Sequence, residues 1–534
     1  MPTITIDKKD LFDLMGKELP DEELKDRISM LGTDLEEVTD KEITVEIFPN
    51  RPDMLSAEGF AKALASFTGI KKGLRKYKLE SSTYEAIIDK KVENVRPFAV
   101  SAIIKNIKLD EAIIKSLMQV QEKLHTTHGR NRKKVSIGVY DLDTIKFPLT
   151  YTTKPKDFKF TPLETNKEYT LLEILEKHPK GTMFKHLLED FDEYPIWLDA
   201  KNQVLSMPPV INSEETKVTE KTKNLFIDVT GTDQNAIEQA LTIIVTSLAD
   251  RGGKIYPVKI GNKKYPNLEP NKIKISPAYL SKRLGLKLTE TNIYDLLQKM
   301  GLDYKKPYVL IPAYRTDILH EIDIAEEIAI AYGYENFEEE IPNVSTIAKE
   351  DEFEKFKNKI ANILTGFGLI ETNTYNLTSE KVQNKNMKAE LKLVKIANAL
   401  NEDYNVLRAW MIPSSLEVLK NNRQYEYPQK IFEIGTVFTP EEKSRVSVLI
   451  SHKEANYTEA RQILESLLDQ LGIKYTIKET EHDSFIDGRV ARVYTKDKGI
   501  AYIGEINPEV LNNFELEMPC VGFELNLSDL YKEL

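Results

Sequence analysis

The sequence predicts an α+β protein of several domains, and three observations carry that expectation. The chain has 534 residues, too many for one core, so roughly three to five domains are expected. One segment occurs twice at fixed spacing, the signature of a supersecondary unit used again. Between and after the copies, strand patterns run into turn-rich loops and then into helical patterns, which suits mixed α/β layers. Four regions follow: 1–85 with the first copy, 90–265 as a mixed α/β domain, 270–340 with the second copy and an acidic helix, and 350–534 as an antiparallel-sheet domain.

The repeat is read residue by residue. Ile4, Ile6, Leu11, Leu19, Gly32 and Asp34 match Ile273, Ile275, Leu280, Leu288, Gly301 and Asp303 at one offset. After a short gap, Arg51, Asp53, Ala61, Ala65 and Gly69 match Arg315, Asp317, Ala325, Ala329 and Gly333 at another. In the second region, Arg96 to Ile107 (RPFAVSAIIKNI) reads as a strand and Leu109 to Leu124 as a helix. A basic loop follows, with Arg130, Arg132, Lys133 and Lys134 beside His125 and His128. KVSIGVYDLDTI reads as a strand ending in a turn, and IWLDAKNQVLSMPPVINS as a hairpin around Asp199 to Gln203. NLFIDVTGTD is a buried strand entering a Thr/Gly/Asp loop, and NAIEQALTIIVTSLADRGG a helix with a glycine stop. EEEIPNVSTIAKEDEF reads as a linker. In the last region a helix from Phe353 to Leu364 carries an apolar stripe and is followed by an alternating strand. KIFEIGTVF is a further strand, and residues 499–534 read as strand, short helix, strand, short helix.

The second copy carries Asp317, Asp323, Glu326 and Glu327, four carboxylates within eleven positions. On a helix, Asp323, Glu326 and Glu327 project from neighbouring positions. Oxygen-only ligands suit magnesium, and a solvated acidic face is the other reading. The first copy has Gly59, Lys62 and Ala63 at the triplet's places, so the fold does not require it. Asp317 does have a counterpart, which also allows a helix cap or a partner for Arg315.

Composition excludes several classes. One cysteine, Cys520, rules out an internal disulfide or a multi-cysteine zinc site, and a reducing cytoplasm is the expected setting. No apolar run of eighteen residues is present, so no membrane span is expected. A net charge of -11 argues against a nucleic-acid coat. The local basic clusters, the other being Lys71, Lys72, Arg75, Lys76 and Lys78, are either solvated loops or phosphate contacts.

Taken together, EIFPNRPDMLSAEG, RPFAVSAIIKNI, KVSIGVYDLDTI, MPPVINS, DVTGTD, the acidic helix and IGEINPEVL resemble, in order and over the whole chain, the β subunit of phenylalanine–tRNA ligase in its shorter archaeal/eukaryotic form. The resemblance implies a separate catalytic α chain in an α2β2 assembly, phenylalanine tRNA as a partner, Mg2+ as a cofactor and ATP as a substrate of the assembled enzyme. It places magnesium on Asp317, Asp323, Glu326 and Glu327. It also implies a class II synthetase-like fold for the last domain, whose phosphate-gripping arginines are missing here. Ile431 stands two residues before Glu433, and no arginine lies between Val521 and Leu534. The apolar stripe Phe356, Ile360 and Ile363 or Leu364 is then expected either against partner helices or in the chain's own core.

Phenylalanine and tyrosine differ by one hydroxyl, which an apolar pocket rejects only about a hundredfold. The resemblance therefore implies a second pocket that hydrolyses mischarged tyrosyl-tRNA, in the second region. Its expected lining is Leu205 and Ser213 with Asp228, Thr230 and Thr232. Asp228 would orient water or read the tyrosyl hydroxyl, and the hydroxyls would donate. The bland reading makes Thr230, Thr232 and Asp228 ordinary turn residues. Three functions compete: a noncatalytic subunit with its own editing site, a purely structural and tRNA-binding subunit, and a free-standing ATP-dependent ligase, which the missing arginines oppose.

Overall fold

A computed structural model describes residues 2–533. The chain forms a multidomain mixed α/β fold of two compact units that divide between Ile341 and Pro342. Among the described residues no helix is long and apolar enough to cross a membrane. Residues 337–351, around that division, form neither helix nor strand.

The first unit contains both copies of the repeat. The first runs through strand Thr3–Asp7, helices Lys8–Met15 and Asp21–Met30, strands Asp34–Val38 and Glu42–Glu46, and helix Ala57–Phe67. The second runs through Asn271–Lys274, Pro277–Leu284, Glu290–Lys299, Asp303–Lys305, Tyr308–Ile311 and Glu321–Tyr332 in the same order. Each makes a three-stranded antiparallel sheet with its last strand in the middle. Capping repeats too: Asp7 accepts from the Asp10 N–H, and Ser276 from the Tyr279 N–H. Each first helix ends on a left-handed glycine, Gly16 at φ 85° and Gly285 at φ 71°, where a side chain would be strained. Leu11 and Leu280 are both fully buried.

Between the copies lies a ten-stranded sheet. Its order is Ile211–Asn212, Val204–Met207, Glu193–Leu198, Leu149–Pro155, Glu85–Ile88, Lys254–Ile260, Phe98–Lys105, Leu225–Gly231 and Val135–Asp141, with Lys263–Tyr265 added on Lys254–Ile260. Only Glu85–Ile88 pairs in parallel. The sheet curls until its two ends meet: the Asn212 amide donates to the Val139 carbonyl at 3.3 Å. Tyr140, Tyr151, Trp197 and Phe226, all buried, fill the space inside. Helix Gln234–Asp250, capped by Asp233, packs on the strands from outside. At its end Arg251 donates to Asp10 at 2.5 and 2.7 Å and to Glu58 at 2.6 Å, which ties the helix to the first copy.

The second unit is a seven-stranded sheet in the order Ile370–Glu371, Gln429–Thr439, Glu441–Ser451, Cys520–Asn526, Lys498–Ile506, Phe485–Thr495 and Thr476–Glu479, antiparallel except at its first pair. Two apolar clusters cover it. One joins the sheet to helices Glu352–Gly366, Tyr457–Gln470 and Leu527–Tyr531, the other to Ile412–Asn421 and Pro508–Asn513. One open alternative is settled here and one expectation is corrected. The stripe Phe356, Ile360 and Leu364 is buried in this chain's own core with Phe432, Val448 and Leu464, and Ile363 packs on the same core, so no partner helix is needed to cover it. The alternating strand expected after Gly368 shrinks to Ile370–Glu371 and a separate Leu377–Thr378, because the residues between make no ladder.

Candidate functional site

Strand Leu225–Gly231 lies between Phe98–Lys105 and Val135–Asp141, buried along its whole length. Phe226, Asp228 and Thr230 share one face by strand alternation. Asp228 faces Ser101 on one neighbour and Gly138 on the other. A β-carbon at Gly138 would lie 2.2 Å from Asp228 Oδ2 and 2.0 Å from the Tyr140 hydroxyl, so only glycine leaves room for that pair. The Tyr140 hydroxyl reaches Asp228 Oδ2 at 2.5 Å and Ser206 Oγ at 2.7 Å. It has one proton to give, and the serine can donate back.

Burial raises Asp228 to a pKa of about 7, against the opposing pull of Tyr140, Trp197 and Arg96. Burial likewise pushes the Tyr140 phenol well up, helped by the Asp228 charge. Two buried polar atoms next to this pair have no hydrogen-bond partner: Ser101 Oγ, on the residue opposite Asp228, and Trp197 Nε1, on the residue opposite Ser206. The indole N–H is near enough to favour the ionised Asp228 without making a well-aligned hydrogen bond. A buried orphan donor costs free energy unless something polar meets it.

The other expected residues separate into distinct roles. Thr230 has both its side-chain and main-chain oxygens occupied by Arg96, at 3.0 and 2.7 Å. Arg96, lowered to about 10 by burial, also donates to the Lys133 carbonyl at 3.1 Å. Thr232 is exposed and donates to that same carbonyl at 3.2 Å. Leu205 is fully buried in the core that contains Tyr140, Trp197 and Phe226. Ser213 donates to the Thr161 carbonyl at 3.3 Å and accepts from the Glu215 N–H; the serine that meets the Asp228–Tyr140 pair is Ser206. Ser101, Gly138, Tyr140, Trp197, Ser206 and Arg96 are additions that the sequence reading missed. His125, fully buried and lowered to about 4 by burial, accepts from the Ile137 N–H, so it lies within the protein rather than in an RNA contact.

The four carboxylates of the acidic helix also part company. Arg315, buried, is forked onto Asp317 at 2.7 and 2.8 Å and onto Glu327 at 2.6 and 3.0 Å. Asp323 accepts from the Leu319 and His320 N–H groups at 2.8 Å each, as part of a capping box. Glu326 is exposed and accepts from the Tyr334 hydroxyl at 2.6 Å. Among the described residues the one trio of acidic oxygens lying within 4.8 Å of one another is Asp34, Glu36 and Glu46, elsewhere in the first copy. Magnesium needs converging, uncommitted oxygens. As arranged here, Arg315 holds Asp317 and Glu327, and no three of these four carboxylates bring oxygens within 4.8 Å of one another.

In the second unit, Ile431 is buried in the core, on the same strand as Glu433. Two arginines near this sheet are matched inside the chain: Arg408 pairs with Glu433 at 2.6 Å and Arg445 with Glu524 at 2.8 Å. Glu524 further accepts from the Met411 and Ile412 N–H groups.

Comparison with known proteins places the chain among subunits of aminoacyl-tRNA ligases. Four family models match in succession: the Phe-tRNA synthetase beta subunit B1 domain over residues 1–70, the B3/4 domain over 81–247, the tRNA synthetase B5 domain over 273–334, and the phenylalanyl tRNA synthetase beta chain CLM domain over 337–527. The phenylalanine–tRNA ligase beta subunit of Pyrococcus furiosus is 41% identical over all of both chains. That of Methanocaldococcus jannaschii is 43% identical over 99% of this chain and 100% of the relative. An N-terminal fragment of the phenylalanyl-tRNA synthetase beta subunit from Pyrococcus horikoshii, solved as a crystal structure, has 40% identity and a TM-score of 0.59, covering 62% of this chain and 99% of its own. The chain belongs to the family of phenylalanine–tRNA ligase beta subunits.

Proposed function

We propose that this chain works with a separate catalytic α chain in the ATP-dependent attachment of phenylalanine to its tRNA, and that it hydrolyses tyrosyl-tRNA formed in error. The observation that carries the editing role is the buried Asp228 with unpartnered Ser101 and Trp197 polar atoms beside it. A carboxyl group poised near pH 7 can accept a proton from water, which suits a general base. The Ser101 hydroxyl, unpartnered among the described residues, could meet a phenol oxygen or that water, while the Trp197 N–H supports the ionised Asp228. Gly138 and Tyr140 then fix the carboxyl group's position, while Arg96 and Thr230 fix the strand. An apolar ring against Phe226 with a polar end at Asp228 would separate tyrosine from phenylalanine, since a site built to meet a hydroxyl discriminates far better than a plain cavity.

The internal Arg408–Glu433 and Arg445–Glu524 pairs support a second unit without adenylation chemistry, with a class II-like sheet and with ATP and Mg2+ handled on the partner. The surface around the edge strand supports a place for that partner: Ile370 is 68% exposed and Tyr375 79%. Exposed apolar residues on a sheet edge invite cover, and α2β2 is the assembly the resemblance implies.

The test mixes the purified chain and its α partner with tyrosyl-tRNA and follows deacylation. Asp228→Ala is expected to slow it by about a hundredfold or more, and Thr230→Ala by less, since Thr230 acts through Arg96. Unchanged rates in both would favour a purely structural, tRNA-binding subunit. Pyrophosphate exchange by the chain alone is expected to be absent.

A further inference from the structure

We infer that the turn Gly129–Lys134 is a phosphate clamp for the single-stranded 3′ end of an RNA whose terminal ester enters the Asp228 site; this rests on the editing role proposed above. Arg130, Asn131 and Arg132 are three consecutive non-glycine residues in the left-handed region, at φ 48°, 52° and 65°. L-residues visit that region as single residues and not in runs, so the surroundings must impose the turn. They do so at four points. The Arg132 N–H donates to the His125 carbonyl at 2.9 Å, and the Lys134 N–H to the Gly129 carbonyl at 2.8 Å. The Lys133 carbonyl accepts from both Arg96 and Thr232. The Arg132 guanidinium turns inward, 4.3 Å over the Phe184 ring, and donates to the Pro209 and Val210 carbonyls and to Glu122.

This geometry divides the four cations. Arg132 is buried and Lys134 is paired with Asp233 at 2.9 Å. Arg130 and Lys133 are exposed, and among the described residues neither has a counter-charge or a hydrogen-bonded side chain. The turn also has a fixed distance to the site. Val135, which follows it, faces Gly231, and Gly138 faces Asp228. Three residues of strand separate them, about 10 Å at the usual rise. Arg96 and Thr230 bridge the two directly. Exposed cations held this way bind a phosphate backbone without reading bases. The ligand class is a single-stranded polynucleotide end with a 3′ aminoacyl ester, and the cations position the chain while Asp228 acts on the ester.

The test measures binding of a short single-stranded oligoribonucleotide, matching the tRNA 3′ end, to the full chain with its α partner across a salt series. Arg130→Ala with Lys133→Ala is expected to weaken binding about tenfold and to flatten the salt slope by about 1.4, the value for two phosphate contacts on a single strand. The charge-keeping pair Arg130→Lys with Lys133→Arg is expected to retain most of the affinity, which separates loss of charge from loss of fold. Equal affinity and slope for the alanine pair and the unaltered protein would overturn the clamp. Hydrolysis is read separately: RNA bound through this turn with no tyrosyl ester cleaved sinks the editing role alone, whereas cleavage with binding indifferent to the turn sinks the clamp alone.

Discussion

Arg51 and Arg315 occupy matching places in the two copies of the repeat, yet their surroundings differ by one charge. Each guanidinium is forked onto the aspartate two residues on. Arg315 gains Glu327 as well, where the first copy has Ala63. The two arginines are close enough to repel, and Asp317 also acts on Arg51. The additional carboxylate therefore helps neutralise a shared buried cluster. A second difference lies at the helix start. Ser56 caps the first copy's helix through the Gly59 N–H. His320 stands at Ser56's place in the second copy, and Asp323, at Gly59's place, bonds back to the Leu319 and His320 N–H groups instead. The third lies further along the helix: Lys62 is buried and pairs with Asp250, whereas Glu326 is exposed and meets Tyr334. The three carboxylates of the acidic triplet thus have three different partners in one shared frame.

The largest test of that comparison is at the arginines. Arg315→Ala strands two buried carboxylates and is expected to cost about 3–5 kcal/mol, as for breaking a buried pair. Arg51→Ala strands one and is expected to cost less, both read from the urea midpoint of the first unit. Equal losses would mean that Glu327 does not matter to the frame. The acid side adds a sign. Burial alone would raise Asp317, but Arg315 outweighs it and holds the carboxyl group below its usual range. Its contribution is thus present above about pH 4 and lost as pH falls below that. Arg315→Ala is expected to remove this acid-side loss. Next in size, Asp323→Ala is expected to cost about 1 kcal/mol, the usual worth of a cap. Adding His320→Ser, which restores the first copy's device, is expected to recover much of it; no recovery would break the equivalence. Smallest is a null: millimolar magnesium is expected to leave the chain's melting temperature unmoved, because Arg315 already serves Asp317 and Glu327. A saturable rise, absent in Asp323→Asn, would show that these carboxylates do gather round an ion.

Much of this was visible in the sequence where the information is local. Fixed spacing exposed the repeat, and Arg-x-Asp could be read because a side chain reaches two residues along. The Arg315–Glu327 pair was harder, since it crosses from a loop to a helix turn. Asp228 and Thr230 were singled out by the resemblance, and the local sequence adds only that they share one strand. Tyr140, Ser206, Trp197 and Arg96 were not, because only the curl of the sheet brings residues 66 to 134 positions apart into contact. Periodicity marked the stripe on Glu352–Gly366 but carries no information about what covers a stripe, which proved to be this chain's own sheet.

Arg251 has a consequence for how such a chain can be cut or shuffled. Its guanidinium reaches out of the central region and, among the described residues, is satisfied by Asp10 and Glu58, carried on the opening module. A shortened protein starting past that module would keep a cation whose counter-charges were gone and would bare the helix that Phe60 and Leu64 now shield. The curled sheet and the leading segment are in that sense a single heritable piece, lost or kept together, although the sequence spells them as two.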